Sequence, residues 1–165
     1  MLGFKEAPKT LEKSKEFSAW KKKNPEAYLS YGFFSVEDKE SDWKIGYYHK
    51  KRERMTSFNV GEKITIEPED DILKKEAADD VEKLELDEIN LDLAEAVTIA
   101  NETQKEEFAT ENPMKIIAIL QKIEQGQVWN VTFLTQTFNT LNFKIKSDSG
   151  KIVEKKLQPL FQFDK

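Results

Sequence analysis

The densest chemistry-bearing stretch of the chain is His49-Lys50-Lys51-Arg52-Glu53-Arg54, preceded by Tyr47 and Tyr48. Its cations could contact phosphates while the two flanking rings stack on bases. The same residues also suit a solvated hairpin tip, whose charges keep a sheet edge from pairing with another sheet. The hairpin tip is the more economical reading, because the chain carries a net charge of −5 and would repel polyanions. Nucleic acid is thus the lesser expectation as partner, and His49 is expected as an exposed loop histidine.

Other reactive groups are scarce. There is no cysteine, which excludes a disulfide scaffold, a thiol nucleophile and thiolate metal sites. His49 is the single histidine, so a His-rich metal site is out and a His-based triad is disfavoured. The carboxylates Glu69-Asp70-Asp71 and Asp79-Asp80 fall on an expected exposed helix, where they cannot face each other across a pocket as acid and base. No phosphate-binding glycine loop, nucleophile elbow or calcium-loop spacing occurs. The expectation is a non-enzymatic protein without cofactor or metal.

The elements that must position these residues follow from patterning. The 165 residues include 11 Phe, 4 Tyr and 3 Trp, too many aromatics for a disordered chain. Charge is segregated: residues 1–66 carry 14 basic and 10 acidic side chains, residues 67–92 carry 3 and 12, and residues 93–165 carry nine of each. The acidic middle reads as a solvated connector rather than a core. The longest apolar run, Ile116–Leu120, is far short of the ~20 residues of a membrane span, and no signal-peptide pattern opens the chain. A soluble cytoplasmic protein is the default expectation, with a mature exported fragment as the alternative and no membrane partner.

Placing Asn24-Pro25 against Asn112-Pro113 brings two halves into step. Each pair is followed by an apolar stretch (27–36, 114–123), a polar turn and a Trp-led alternating stretch starting at Trp43 or Trp129. A second alternating stretch, a glycine turn at Gly61 or Gly150 and a short β-branched segment follow in both. The alternation predicts strands, and Ser147–Lys151 predicts a tight hairpin with Gly150 at positive φ. The two tryptophans are expected to pack inward between sheet and helix. The tail Leu157–Phe163 alternates as well, and is expected as a further strand or a docked segment.

Three helices are predicted: Thr10 to about Lys23, with Leu11, Phe17 and Trp20 inward; one after Pro68, with Ile72, Leu73, Ala77, Val81 and Leu84; and one capped by Asp92, with Leu93, Ala96, Val97 and Ala100 in one stripe. Asn112-Pro113 is expected to end the third. The resulting fold class is α+β, built from tandem helix-plus-antiparallel-sheet units with helices on one sheet face. The expected division is a first unit at 1–67, an acidic helical connector at 68–91 and a second unit at 92–165.

The second unit resembles a PepSY domain over about residues 88–157. The likeness is carried by the helix 91–100 (LDLAEAVTIA), the strand 128–133 (VWNVTF) and the hairpin 148–153 (DSGKIV). The first half shares it only through the internal repeat. The resemblance implies a non-catalytic binding or inhibitory module and brings no defined site residues. The function expected is binding of a protein or peptide, or pairing with a second copy as a homodimer.

Overall fold

The computed structural model describes residues 3–71 and 81–161. Helix α1 (Glu6–Glu12) and helix α2 (Lys15–Lys23) come first, followed by strands β1 (Tyr28–Val36), β2 (Trp43–His49), β3 (Arg54–Val60), β4 (Ile64–Ile66) and β5 (Asp70–Asp71). A short 3₁₀ turn (Leu86–Glu88) and helix α3 (Leu93–Glu107) precede β6 (Pro113–Ile123), β7 (Gly126–Thr135), β8 (Asn139–Lys146) and β9 (Ile152–Pro159).

All nine strands form one antiparallel sheet in the order β4-β3-β2-β1-β6-β7-β8-β9, with β5 also on β3. This corrects the expected α+β fold of tandem helix-on-sheet units. The two halves meet at β1 and β6, which pair from Gly32–Leu120 to Val36–Ile116 and make a single sheet the dominant feature. Helical content is smaller than expected too. The segment Thr10–Lys23 is not one helix, because the Ser14 hydroxyl donates to Leu11 O and accepts from Phe17 N, ending α1 and starting α2 at the same point. Asp70 and Asp71 are strand, not helix. Residues 72–80 of the expected connector helix lie outside the described residues; Val81 and Leu84, beyond them, are not helical. Helix α3 ends at Glu107, short of Asn112-Pro113. The tail and the segment before it are one continuous strand, β9, as far as Pro159.

The three helices lie on one face of the sheet. Phe17 and Trp20 of α2 pack on Tyr47 and Phe58, and Phe108 at the end of α3 packs on Phe143. Phe4, ahead of α1, is fully buried against both Trp43 and Trp129. It occupies the space over Gly32, where a Cβ would enter its ring. One apolar core therefore runs beneath the helices across both halves, from Val60 through Ile45, Leu120 and Val131 to Phe143. Burying each such large side chain stabilises the fold by roughly 1.5–3 kcal/mol. Asp92 ties the cover down: its carboxylate caps α3 by accepting from Leu93 N and also accepts from Phe4 N at 3.1 Å. At the β8–β9 hairpin Gly150 has φ +76, as the turn requires.

Candidate binding surfaces: the β2–β3 hairpin and the open sheet face

Strand β2 alternates, and its register with β3 decides where each candidate side chain goes. Trp43, Ile45, Tyr47 and His49 face the helices; Lys44, Gly46 and Tyr48 face away, paired with Asn59, Ser57 and Met55. Tyr47 is 3% exposed and surrounded by Phe17, Trp20 and Phe58. Tyr48 is 1% exposed beside Tyr28 on the opposite face. Neither ring is presented for stacking on a base. Both hydroxyls are buried without a hydrogen-bond partner. Burial, and after it the negative charge of Glu12, pushes the Tyr47 phenol well above its ordinary range.

His49 is not an exposed loop residue but is 7% exposed at the end of β2, its ring 5.5 Å from that of Trp20. The loop Lys50–Glu53 behind it is exposed, with Glu53 at φ +53. Its charges are largely taken up within the chain. Arg52 spans both carboxylate oxygens of Glu69 at 2.8 and 3.3 Å, and it also donates to Asn24 Oδ1 and to His49 Nδ1. Lys51 pairs with Glu26 at 3.0 Å. A guanidinium only donates, so Nδ1 is the acceptor nitrogen of a neutral His49 and Nε2 carries the proton toward Thr56 Oγ1 at 3.1 Å. Burial first, then the Arg52 charge, holds the imidazole below its usual pKa against the pull of Glu69. Arg54 is half-buried in β3, its backbone opposite His49 and Asp71. The hairpin thus brings His49 and Arg52 together, separates Tyr47 from Tyr48 by the thickness of the sheet, and leaves Lys50 and Lys51 at the rim of a cleft of about 250 Å³.

Sequence reasoning missed a larger surface, the sheet face that the helices leave open. On β1 a bulge at Ser30 changes which residues face out: Leu29 lies opposite Tyr47 on the helix side, but Tyr31 lies opposite Gly46 on the open side. The Ser30 hydroxyl donates to Gly46 O at 3.2 Å, and the Tyr31 ring lies over Gly46, where any Cβ would collide with it. Phe33, Ile117 and Ile119 continue this face across the central strands, with Asn130, Thr132 and Asn142 beyond them on β7 and β8. Asn142 bonds both Asn130 and Thr132 there. Tyr31, Phe33, Ile117 and Ile119 are half-buried, and among the described residues no helix lies over them. Alternation along β1 places Tyr31 and Phe33 on one face, but that they meet Ile117 and Ile119 depends on the β1–β6 pairing, which has no local signal in the sequence. A mixed apolar and amide-rich surface of this kind can hold a partner by contact; among the described residues no cluster of three or more acidic or histidine side chains could hold a metal.

No helix among the described residues is long and apolar enough to cross a membrane. No family model matches the chain, and no curated protein does. The fold is similar to the crystal structure of a "putative lipoprotein" from Clostridium difficile 630, at a TM-score of 0.55 and 16% identity, covering 87% of this chain and 90% of that one. At that identity the likeness concerns the fold alone.

Proposed function

We propose that this protein is a non-enzymatic module that binds a protein or peptide partner across the open face of its sheet. One observation carries the reading: Tyr31, Phe33, Ile117 and Ile119 sit on the two central strands, on the side the helices leave bare. A sheet normally places its apolar central positions under a covering layer, and an apolar patch that no described helix covers, rimmed by polar groups, has the form taken by contact surfaces. At its margin the Asn142 amide N–H groups bond Asn130 and Thr132, and Asn142 Oδ1 and Asn130 Nδ2 offer the hydrogen bonds that orient a partner. The basic hairpin is less suited to the role, with Arg52 and Lys51 already paired to Glu69 and Glu26.

Selection of binders from a displayed random-peptide library tests the proposal. Peptides retained by the wild type should lose at least tenfold in affinity to Ile117→Lys and to Phe33→Ser, provided the melting temperature of each variant confirms folding. A selection without binders, or binders indifferent to both substitutions, would refute it, as would turnover of a small molecule at a residue-dependent rate.

A further inference from the structure

The two borders of the sheet are unequal. On one side β4 and β5 have three and two residues, whereas on the other β9 runs for eight, with β8 on one flank and no described strand on the other. Long free edges invite pairing, and proteins block them with charge, proline or cover. Leu160 N donates to Phe138 O, so alternation turns Gln158, Lys156 and Glu154 toward β8. Lys155 and Leu157 then present their N–H and C=O groups outward, as does Pro159 its C=O alone, having no N–H to leave unpaired; Val153 sits in a bulge, where the register passes from Lys144–Glu154 to Ile145–Ile152.

The side chains of this edge are arranged in a self-complementary order. Glu154 and Lys156 lie on the open face, in the rows of Lys144 and Asn142 respectively, and Glu154 Oε2 already accepts from Lys144 Nζ of its own chain, which leaves Oε1 to meet a second cation. Lys155 lies on the helix face, held by Glu107 of α3 at 2.8 Å. Suppose a second copy is related by a twofold axis through Lys155. Glu154 of each chain then stands opposite Lys156 of the other, and Val153 opposite Leu157. The outward backbone groups of the two Lys155 residues meet in a hydrogen-bonded pair on the axis, Leu157 faces the bulge at Val153 on each flank, and Pro159 is left at the margin. A shift of two residues either way sets Glu154 against Glu154 or Lys156 against Lys156, which is unfavourable. The positive charges that meet on the axis are each already compensated by a Glu107.

We propose that β9 is a homodimer edge, pairing antiparallel with β9 of a second copy so that one sheet continues through both chains, in the register set by Glu154 and Lys156. This interface is separate from the open-face contact, and either can fail without the other.

The test is a charge swap read by sedimentation velocity and light scattering over a concentration series of the full chain. The wild type should dimerise, and Glu154→Lys and Lys156→Glu should each raise the dissociation constant at least tenfold, with the melting temperature reporting folding. An equimolar mixture of the two single variants should dimerise again, because both contacts of the mixed pair then join opposite charges. Should either swap fail to fold, Glu154→Gln and Lys156→Gln replace them, with an expected weakening of about threefold each. A monomeric wild type, single variants that dimerise normally, or a mixture that stays monomeric would overturn the proposal, while peptide binding at Phe33 and Ile117 would be unaffected by any of these results.

Discussion

Trp43 and Trp129, from opposite halves of the chain, lie with ring centroids 6.1 Å apart, and the Phe4 ring packs edge-on against both. They flank the central pair β1–β6 from β2 and β7, so this aromatic cluster joins the halves on the helix side of the seam.

Trp129 is fully buried, and its indole N–H donates to Leu91 O at 2.9 Å. Trp129→Ala would leave a cavity and an unpaired carbonyl. Chemical denaturation should show a loss of about 3–5 kcal/mol. A loss below about 1 kcal/mol would contradict the packing described.

Tyr47 makes the opposite prediction. Its hydroxyl is buried without a partner, a cost to the folded state that phenylalanine avoids. Tyr47→Phe should raise stability by about 1 kcal/mol in urea unfolding. A loss of that size would mean that the hydroxyl is satisfied in solution.

His49 makes folding sensitive to mild acid. Its folded-state pKa lies below that of the unfolded chain, so the unfolded chain takes up the proton first. Stability should therefore fall as pH drops from about 7.5 through the unfolded-state value of about 6.5, and level off below the folded value. His49→Gln should flatten this part of the profile, measured as unfolding free energy at several pH values. An unchanged slope would exclude His49 as its source.

Glu111 acts at lower pH. The Thr137 hydroxyl foremost, with those of Thr135 and the Asn139 amide, favours its ionised form and lowers its pKa. The sign is the usual carboxylate one: the contribution is complete above about pH 4.5 and is lost as pH falls through the lower folded-state value. Glu111→Gln should cost about 1–2 kcal/mol at pH 7 and progressively less below pH 4. A cost that does not change with pH would assign the effect to shape rather than charge.

Legibility in the sequence follows the range of the interactions. Strands β2, β7 and β8 announce themselves because each alternates over its own length, and the Gly150 turn because its backbone requirement is local. The seam between β1 and β6 left no trace, since its register is fixed by side chains such as Phe34 and Ala118 that meet only in the fold. That the two halves would form one sheet, and so a more sheet-rich fold than the helix-on-sheet units expected, was hidden for the same reason. The break at Ser14 was within reach, since a serine three residues before Phe17 is an N-cap in its own right. The burial of His49 was readable as well: it stands two residues after Tyr47 and four after Ile45, on the face that β2 turns inward. The open face was not, because its apolar patch arises only where β1 and β6 pair and bring Tyr31 and Phe33 beside Ile117 and Ile119.

The β1–β6 seam also bears on how the chain is made. Synthesis delivers β1 to β4 long before β6, and hairpin pairing can assemble those strands at once. Until β6 emerges, β1 is a nine-residue border with its outer backbone unsatisfied and with Phe33 and Phe34 on its two faces. A nascent or prematurely ended chain is thus a sticky half-sheet, for which the edge of any other half-sheet is a ready substitute for β6. The last-made strands serve as the built-in guard of the first, so interrupted translation exposes an edge, β1, that the finished molecule covers.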